Sequence, residues 1–252
     1  MNKRKILIIV AILFILIGTI LLCFPSASNY IYEKNVETEK EKFVVKITDE
    51  QNENILDKLY KKLQEENQKI YEEKQNKLVD PFSYEQSAID LSEYGIENNV
   101  IGYISIPKIN IEVPILLGAN TANMKKGAVH LTETSYPIGG VNTNSVIAAH
   151  RGYGKATLFR YIDKIGVGDK IRIRNFKEEL TYEVYETKII NPDDISELEI
   201  QEGQDIITLI TCHPYRINTQ RYIVKAKRVW NTTLCFFNFL WQKYWLYVKN
   251  II

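Results

Sequence analysis

The sequence predicts an all-β domain, either a barrel or a sandwich, preceded by a charged helical segment and an N-terminal membrane span. Three observations support this prediction. A basic tip and a long apolar run open the chain, a stretch without glycine or proline follows, and from about residue 100 short β-branched runs alternate with Gly, Pro and Asn. Short strands that are separated this often by turn residues are typical of barrels and sandwiches.

The first 25 residues are predicted to form a cytoplasmic tip and a transmembrane anchor. Residues 2–5 include three basic side chains, and residues 6–24 are almost entirely apolar. About 20 apolar residues cross a bilayer as a helix, and basic residues before them favour a cytoplasmic N-terminus. A cleavable signal peptide is the alternative, with residues 25–28 as its possible cleavage site. Its apolar core is usually about 7–15 residues long, so the longer run here favours a retained anchor.

Residues 26–79 are predicted to be a charged helical extension. From Glu53 to Leu78 the composition is mainly Glu, Lys, Gln and Leu. Its apolar side chains are spaced to form a narrow stripe on one helix face: Ile55, Leu56, Leu59, Leu63, Ile70 and Tyr71. Two interpretations remain open, a solvated stalk and a helix that docks on the following domain. Pro81 ends the helical pattern, since proline cannot continue a helix, and residues 80–94 are then a connector.

Residues 95–229 are predicted to be the β domain. Its candidate strands are 101–106, 109–116, 145–149, 170–173, 180–190, 205–211 and 222–229, and one or two helical turns are expected around 156–165. Residues 230–252 are rich in aromatic side chains but contain Lys243. A lysine at the centre of a span costs about 2.5–3.5 kcal/mol, so this C-terminal segment is predicted to lie at the membrane interface. A poor second span and an altered tail are the alternatives.

Composition excludes several classes of protein. The formal net charge of +1 argues against nucleic-acid binding, which requires a strongly basic face. The three cysteines, Cys23, Cys212 and Cys235, have neither the spacing of a disulfide framework nor that of a zinc site, and no metal or organic cofactor is implied. Two of them lie in apolar terminal segments. Cys212 is therefore the candidate nucleophile of the domain.

Three polar residues stand at the ends of predicted strands. His150 and Cys212 each follow an apolar run, and Arg221 opens the next one. If the strands around the 213–220 loop are neighbours, Cys212 and Arg221 face each other. An imidazolium would lower the pKa of the thiol and later protonate a leaving amine, and a guanidinium would stabilise an oxyanion. An inert core cysteine with unrelated His and Arg residues is the alternative. His213 adjoins the thiol, but neighbouring strand residues point to opposite faces.

These residues resemble the sortase family of cysteine transpeptidases. Residues 208–212, Thr-Leu-Ile-Thr-Cys, followed by Arg221, are similar to the sortase signature T-L-x-T-C with an arginine after the loop. Residues 127–152 resemble the histidine region of the family, and residues 102–109 its first barrel strands. The likeness runs from about residue 80 to 229 in the order of the family. Val224-Lys225-Ala226 departs from the more usual Val-Arg-Gly, as does His213 directly after the thiol.

The resemblance implies a closed eight-stranded β-barrel, anchored in the membrane of a Gram-positive bacterium with the catalytic domain outside the cell. It assigns Cys212 as nucleophile, His150 as general acid and base, and Arg221 as the residue that stabilises the transition state. His130 matches an upstream histidine of the family that is not catalytic, which implies a structural role.

Asp80-Pro81-Phe82 resembles the lid of the pilus-assembling, class C sortases, in which the Asp approaches the catalytic Arg and the aromatic side chain covers the Cys. The alternative is that these three residues only end the preceding helix and have no role at the site. The resemblance then implies cleavage of an LPXTG-like sorting signal, a thioester on Cys212 and transfer to a pilin lysine. The expected partners are LPXTG-type surface proteins, in particular pilin subunits, and membrane lipid. Attachment of surface proteins to peptidoglycan is an alternative, and a non-catalytic scaffold with the same fold is another.

Overall fold

Eight strands close into a barrel in the computed structural model, which describes residues 3–75, 78, 80, 89–152 and 156–230. The strands are β1 (Val100–Ile106), β2 (Ile111–Leu117), β3 (Ala128–His130), β4 (Thr143–Ala148), β5 (Lys170–Asn175), β6 (Glu179–Ile190), β7 (Asp205–His213) and β8 (Gln220–Arg228). Their order around the barrel is β1-β2-β3-β4-β7-β8-β6-β5. The predicted closed eight-stranded barrel is confirmed, and the sandwich is not the architecture adopted.

Burial along the strands explains where apolar and polar residues alternate in the sequence and where they do not. In β5 every second residue is buried, as expected for a strand with one face toward the core and one toward solvent. All of β4 and most of β7 are buried. A second apolar cluster, which includes Met124, Leu198 and Ile223, packs with Val146 and Ile210 of these two strands and covers them. Strands buried on both faces read as continuous apolar runs, as 206–210 does.

The first helix, α1 (Lys3–Thr48), is longer than the predicted anchor and passes through Pro25 without ending. Proline removes one intrahelical hydrogen bond and tends to kink a helix, but here the helix continues and its later residues Ser28, Val36 and Phe43 are buried. Within the described residues α1 is the one helix long and apolar enough to cross a membrane, and its apolar window is wholly exposed. The boundary placed between residues 25 and 26 therefore falls inside a single helix.

The second helix, α2 (Glu53–Glu72), docks on the barrel and is not a solvated stalk. Leu59 and Leu63 of the predicted stripe are completely buried. Burying a leucine contributes about 1.5–3 kcal/mol, enough to hold an otherwise charged helix in place. Asn67 adds a reciprocal pair of hydrogen bonds: its Nδ2 donates to the carbonyl oxygen of Tyr136 at 3.3 Å, and the Tyr136 amide donates to its Oδ1 at 2.7 Å. The helix ends at Glu72, before the predicted stop at Pro81.

Two short elements differ from the sequence prediction. A six-residue helix, α3 (Thr121–Lys126), and the three-residue strand β3 follow β2, and neither was predicted. The side chain of Asn120 caps α3 by accepting a hydrogen bond from the Asn123 amide at 2.9 Å. The helical turns expected around 156–165 are present as a 3-10 turn at Ile162–Lys164. The predicted C-terminal interface segment lies, beyond Trp230, outside the described residues.

Candidate active site

The register of β7 and β8 places Cys212 directly opposite Arg221. The two strands are antiparallel, and these residues are Cα partners in the ladder. Both stand next to the loop of residues 214–219, as the sequence predicted from the apolar runs on either side of it. The Cys212 side chain is half-buried, whereas that of Arg221 is only 9% exposed. A thiol and a guanidinium therefore share one end of the barrel, which we call the thiol end.

The parallel pairing of β4 with β7 brings His150 to the same level. The ladder ends with Ala148 opposite Ile210. Beyond it, the Ala149 amide donates to the carbonyl oxygen of Ile210 at 3.2 Å, and the Thr211 hydroxyl donates to the carbonyl oxygen of Ala149 at 2.7 Å. The Ala149–Thr211 hydrogen bond extends the register one residue past β4, so the segment that carries His150 leaves β4 beside the end of β7 that carries Cys212. Cys212 on β7, Arg221 on β8 and His150, two residues after β4, therefore lie at the same end of the barrel.

The electrostatic surroundings favour a neutral thiol and a neutral imidazole. Burial raises the pKa of Cys212, and the charge of Asp80 adds to this rise, while the nearby Arg221 opposes it. Burial also lowers the pKa of His150. A raised thiol pKa and a lowered imidazole pKa both disfavour the thiolate–imidazolium ion pair at neutral pH. Of the charged neighbours, Asp80 works against the thiolate and Arg221 works for it.

Asp80 holds Arg221 in a two-pronged ion pair. Nε of the arginine donates to Oδ1 at 3.1 Å, and Nη2 donates to Oδ2 at 2.6 Å. Burial works against the charge of Arg221, but its hydrogen bonds and charge attraction with Asp80 outweigh that cost, and its pKa is raised. Nη1 donates to the carbonyl oxygens of Asn218 and Gln220, at 3.3 and 3.0 Å. Pro81 and Phe82, the other two predicted lid residues, lie outside the described residues.

The other two histidines have partners of their own. His130 is fully buried, its Nε2 donates to the carbonyl oxygens of Thr134 and Ser135 at 3.1 Å each, and its ring stacks on Tyr136 with 4.9 Å between centroids. Burial lowers its pKa to about 4, so it is neutral and acts as a fixed donor inside the fold. His213, next to the thiol in sequence, has its Nδ1 within 2.8 Å of Nη1 of Arg151.

Arg151 has a positioning contact that sequence reasoning did not assign. It follows His150 directly, is 8% exposed, and pairs through Nη2 with Asp163 at 2.6 Å while Nη1 donates to His213. It therefore ties the segment after His150 to the end of β7. The only signal available in the sequence was its place in the histidine motif, since its partners lie far along the chain. In the part of the chain that the structure describes, no group of three or more His, Cys, Asp or Glu residues could hold a metal ion.

Comparison with known proteins identifies the family to which the chain belongs. Residues 104–229, half of the chain, match the Sortase domain family. Sortase A of Bacillus anthracis is 31% identical over 233 residues, which cover 91% of this chain and 97% of that protein. Sortase D of Bacillus subtilis (strain 168) is 35% identical over 131 residues, but these span only 51% of this chain and 63% of that protein.

Among solved structures, Sortase C1 of GBS Pilus Island 1 is similar to this chain, with a TM-score of 0.68 and 33% sequence identity. The superposition covers 77% of this chain and 92% of that one. The coverage extends beyond the length of the barrel alone, so the likeness includes part of what precedes it.

Proposed function

Because the chain belongs to the sortase family of cysteine transpeptidases, we propose that it cleaves an LPXTG-like sorting signal and transfers the new carboxyl end to a lysine amine of a pilin subunit. Its architecture is like that of pilus sortases, since similar solved structures include Sortase C1 of GBS Pilus Island 1 and the pilus-related Sortase C of Group B Streptococcus. The acceptor amine and the sorting motif are the parts of this proposal that need direct measurement.

The proposed reaction uses Cys212, His150 and Arg221. His150 takes the thiol proton, and the Cys212 sulfur attacks the carbonyl carbon of the threonine in the sorting signal. The guanidinium of Arg221 stabilises the oxyanion. When the intermediate collapses, the C–N bond breaks, His150 returns the proton to the glycine amine, and a thioester remains on Cys212. The lysine amine then attacks this thioester, His150 removes its proton, and an isopeptide bond forms as the thiol is released.

The observation that supports the proposal best is the two-pronged pairing of Arg221 with Asp80 beside the thiol. Two of the arginine nitrogens that could meet an oxyanion are occupied by this carboxylate, and the carboxylate also raises the pKa of Cys212. We infer that Asp80 acts as the charged part of a lid that must leave before the reaction begins. Its departure frees the guanidinium and lowers the pKa of the thiol in one movement.

A second candidate changes only the acceptor. The relative that matches over nearly its whole length is a sortase A, not a sortase C. On this alternative the same thioester is attacked by an amine of cell-wall peptidoglycan, so that the enzyme attaches surface proteins to the wall.

The proposed location follows from α1. Its apolar part anchors the chain in the cell membrane, the basic tip remains in the cytoplasm and the barrel lies outside the cell, where sorting signals and both acceptors would be found. Protease added to intact cells should then digest the barrel but leave the basic tip, and the reverse pattern would contradict this orientation.

The test of the reaction is intact-mass spectrometry of the full chain in detergent micelles, incubated with an LPXTG peptide. We expect a thioester adduct on the wild-type chain, more of it on Asp80→Ala, and none on Cys212→Ala. A pilin-derived lysine peptide and a peptidoglycan stem peptide are then added separately. Release of the adduct onto the lysine peptide supports the pilin acceptor, and release onto the stem peptide supports the second candidate. A folded Asp80→Ala chain that forms no adduct would contradict both and favour a scaffold.

A further inference from the structure

The path of α1 along the barrel determines which end of the barrel faces the membrane. Asn29 accepts hydrogen bonds from the amide and hydroxyl of Thr157, at 3.1 and 2.8 Å. Further along the helix, Lys40 pairs with Glu112 at 2.5 Å, and the Phe43 ring meets the Tyr103 ring edge-on at 5.5 Å. In β1 and β2 these contacts move progressively away from the turn that joins the two strands. The helix therefore enters at that turn and runs toward the opposite end.

The end at which α1 enters is the thiol end. The β1–β2 turn lies at the start of β2, which is parallel to β3, and β3 is antiparallel to β4. The C-terminal ends of β4 and of its parallel neighbour β7 therefore lie at the same end as that turn. Thr157, the first contact of α1, belongs to the loop that follows His150. The topology thus places Cys212 at the membrane side of the barrel.

The connection between the span and this end is short. Asn29 lies five residues after Phe24, the last residue of the apolar run, and at 1.5 Å per helical residue this is about 7–8 Å. The polar headgroup layer on each side of a bilayer is about 5–8 Å thick. Thr157 is therefore level with the outer limit of the headgroups. A kink at Pro25 can tilt the barrel but cannot exchange its two ends, because the contacts of Asn29 and Phe43 fix the helix against the barrel.

The loops at this end carry the side chains that suit a headgroup layer. Tyr161, Val167 and Ile217 are 41%, 76% and 67% exposed. The Lys164 ammonium lies 4.4 Å from the Tyr161 ring centroid, and the Arg216 guanidinium lies 5.3 Å from that of Tyr215. Exposed aromatic and apolar residues with cations beside them are typical of surfaces that lie at the membrane interface.

Carboxylates at this end are mostly engaged. Asp163 is paired with Arg151, and Asp169 accepts a hydrogen bond from the Gly166 amide at 2.9 Å. Asp193 and Asp194, in the loop after β6, are exposed, and Asp194 accepts a hydrogen bond from the Ser196 hydroxyl at 2.7 Å. Among the described residues neither Lys164 nor Arg216 forms an ion pair with a carboxylate, so both side chains can face lipid phosphate groups.

We propose that the thiol-end loops, residues 156–169 and 214–219, rest on the lipid headgroups of the membrane that holds α1. This proposal rests on the proposed anchoring of α1 and extends it to the barrel. The entrance to Cys212 then opens close to the bilayer surface, and a substrate held in the same membrane would present its cleavage site at that level.

The test uses the full chain in lipid nanodiscs that contain a phosphatidylglycerol fraction and a headgroup spin-labelled lipid. In a background of Cys23→Ala, Cys212→Ala and Cys235→Ala, one fluorophore is attached at Ile217→Cys or Val167→Cys. The matched control is Glu202→Cys, an exposed residue in the loop between β6 and β7 at the opposite end. We expect several-fold stronger quenching at 217 and 167 than at 202. Equal quenching, or stronger quenching at 202, would overturn the proposal.

A second measurement needs no substitution. Lipids with a photoactivatable headgroup are crosslinked to the unmodified chain in vesicles, and the crosslinked peptides are identified by mass spectrometry. Crosslinks in 156–169 or 214–219 support the proposal, and crosslinks confined to other parts of the barrel overturn it. Neither readout depends on peptide cleavage, so failure of the headgroup contact and failure of the proposed reaction remain distinguishable.

Discussion

Strand β8 carries two buried cations four residues apart, and they are held in different ways. Arg221 is 9% exposed and pairs with Asp80. Lys225 is 4% exposed and pairs at 3.0 Å with Glu197, which also binds Lys188. Glu197 lies in a 3-10 turn, Ser196–Leu198, and Leu198 is buried in the second apolar cluster, which covers β4 and β7. Asp80 belongs to the connector between α2 and the barrel. The same chemical pairing is therefore fixed in one case and, as we propose, releasable in the other.

The largest expected effect separates the two cations by function. Replacing Arg221 with Lys keeps a charge but removes the fork, and loss of one oxyanion donor typically lowers turnover about 10²–10³-fold. We expect a fall of this size in transpeptidation by Arg221→Lys, measured by product mass spectrometry. Lys225→Arg, the reverse exchange on the same strand, should keep near wild-type turnover. Equal losses in the two variants would mean that the distinction between these cations is wrong.

His130 is a third buried titratable group and differs from both cations, because its ring nitrogen is held by carbonyl oxygens and not by a carboxylate. Its folded pKa of about 4 lies below the usual unfolded value of about 6.5. The unfolded chain therefore binds the proton first as pH falls, so the contribution of His130 to stability is complete above about pH 6.5 and is lost by about pH 4. The full loss amounts to about 3 kcal/mol.

This effect is measured by thermal unfolding of the detergent-solubilised chain between about pH 7 and about pH 4.5. His130→Gln retains a donor without titrating in this range and is the matched control. We expect the melting temperature of the wild-type chain to fall more steeply on acidification than that of the variant. Parallel curves would show that protonation of His130 does not limit stability.

Replacing Lys225 with Met should cost stability but not chemistry. The substitution preserves most of the side-chain length and removes a buried hydrogen bond between charged groups, which is worth about 1.5–3 kcal/mol. Lys188 remains to compensate Glu197, so the cost should stay within that range. Thermal unfolding measures the loss, and active-site titration of Cys212 measures the fraction of chain that remains competent. A drop in turnover per competent chain would place Lys225 in the reaction.

The smallest expected effect concerns the reactivity of the thiol. Asp80 raises the pKa of Cys212 and occupies Arg221, so Asp80→Asn should lower that pKa and increase the thiolate fraction at any pH below it. We expect alkylation of the Cys212 peptide by iodoacetamide to be up to about tenfold faster at about pH 8, with the pH profile shifted to lower pH. Glu197→Gln, which neutralises the other carboxylate, should leave the rate unchanged. A slower reaction in Asp80→Asn would refute the proposed lid.

Local patterns revealed most of the fold and part of the site. Seven of the eight strands were predicted because β-branched runs are separated by turn residues, whereas β3 was missed because three residues are too few to show a period. Cys212 and Arg221 could be paired because one loop joins their strands. The role of Arg151 could not be predicted, since its partners Asp163 and His213 lie on other elements and only the barrel topology brings them together. The boundary at residue 25 follows the end of the apolar run, whereas α1 continues because Ser28 and Asn29 pack against the barrel.

The continuity of α1 has a kinetic consequence. A flexible linker rich in Gly and Ser would allow the barrel to sample many orientations above the bilayer. A helix that runs from the span into the packed domain removes this freedom once, when the chain folds, rather than at each encounter. Two partners embedded in the same bilayer then meet by lateral diffusion with their orientations already restricted, which reduces the entropy lost on association. Inserting a flexible Gly-Ser segment after Pro25 should therefore slow the reaction with membrane-held substrates more than the reaction with soluble peptides.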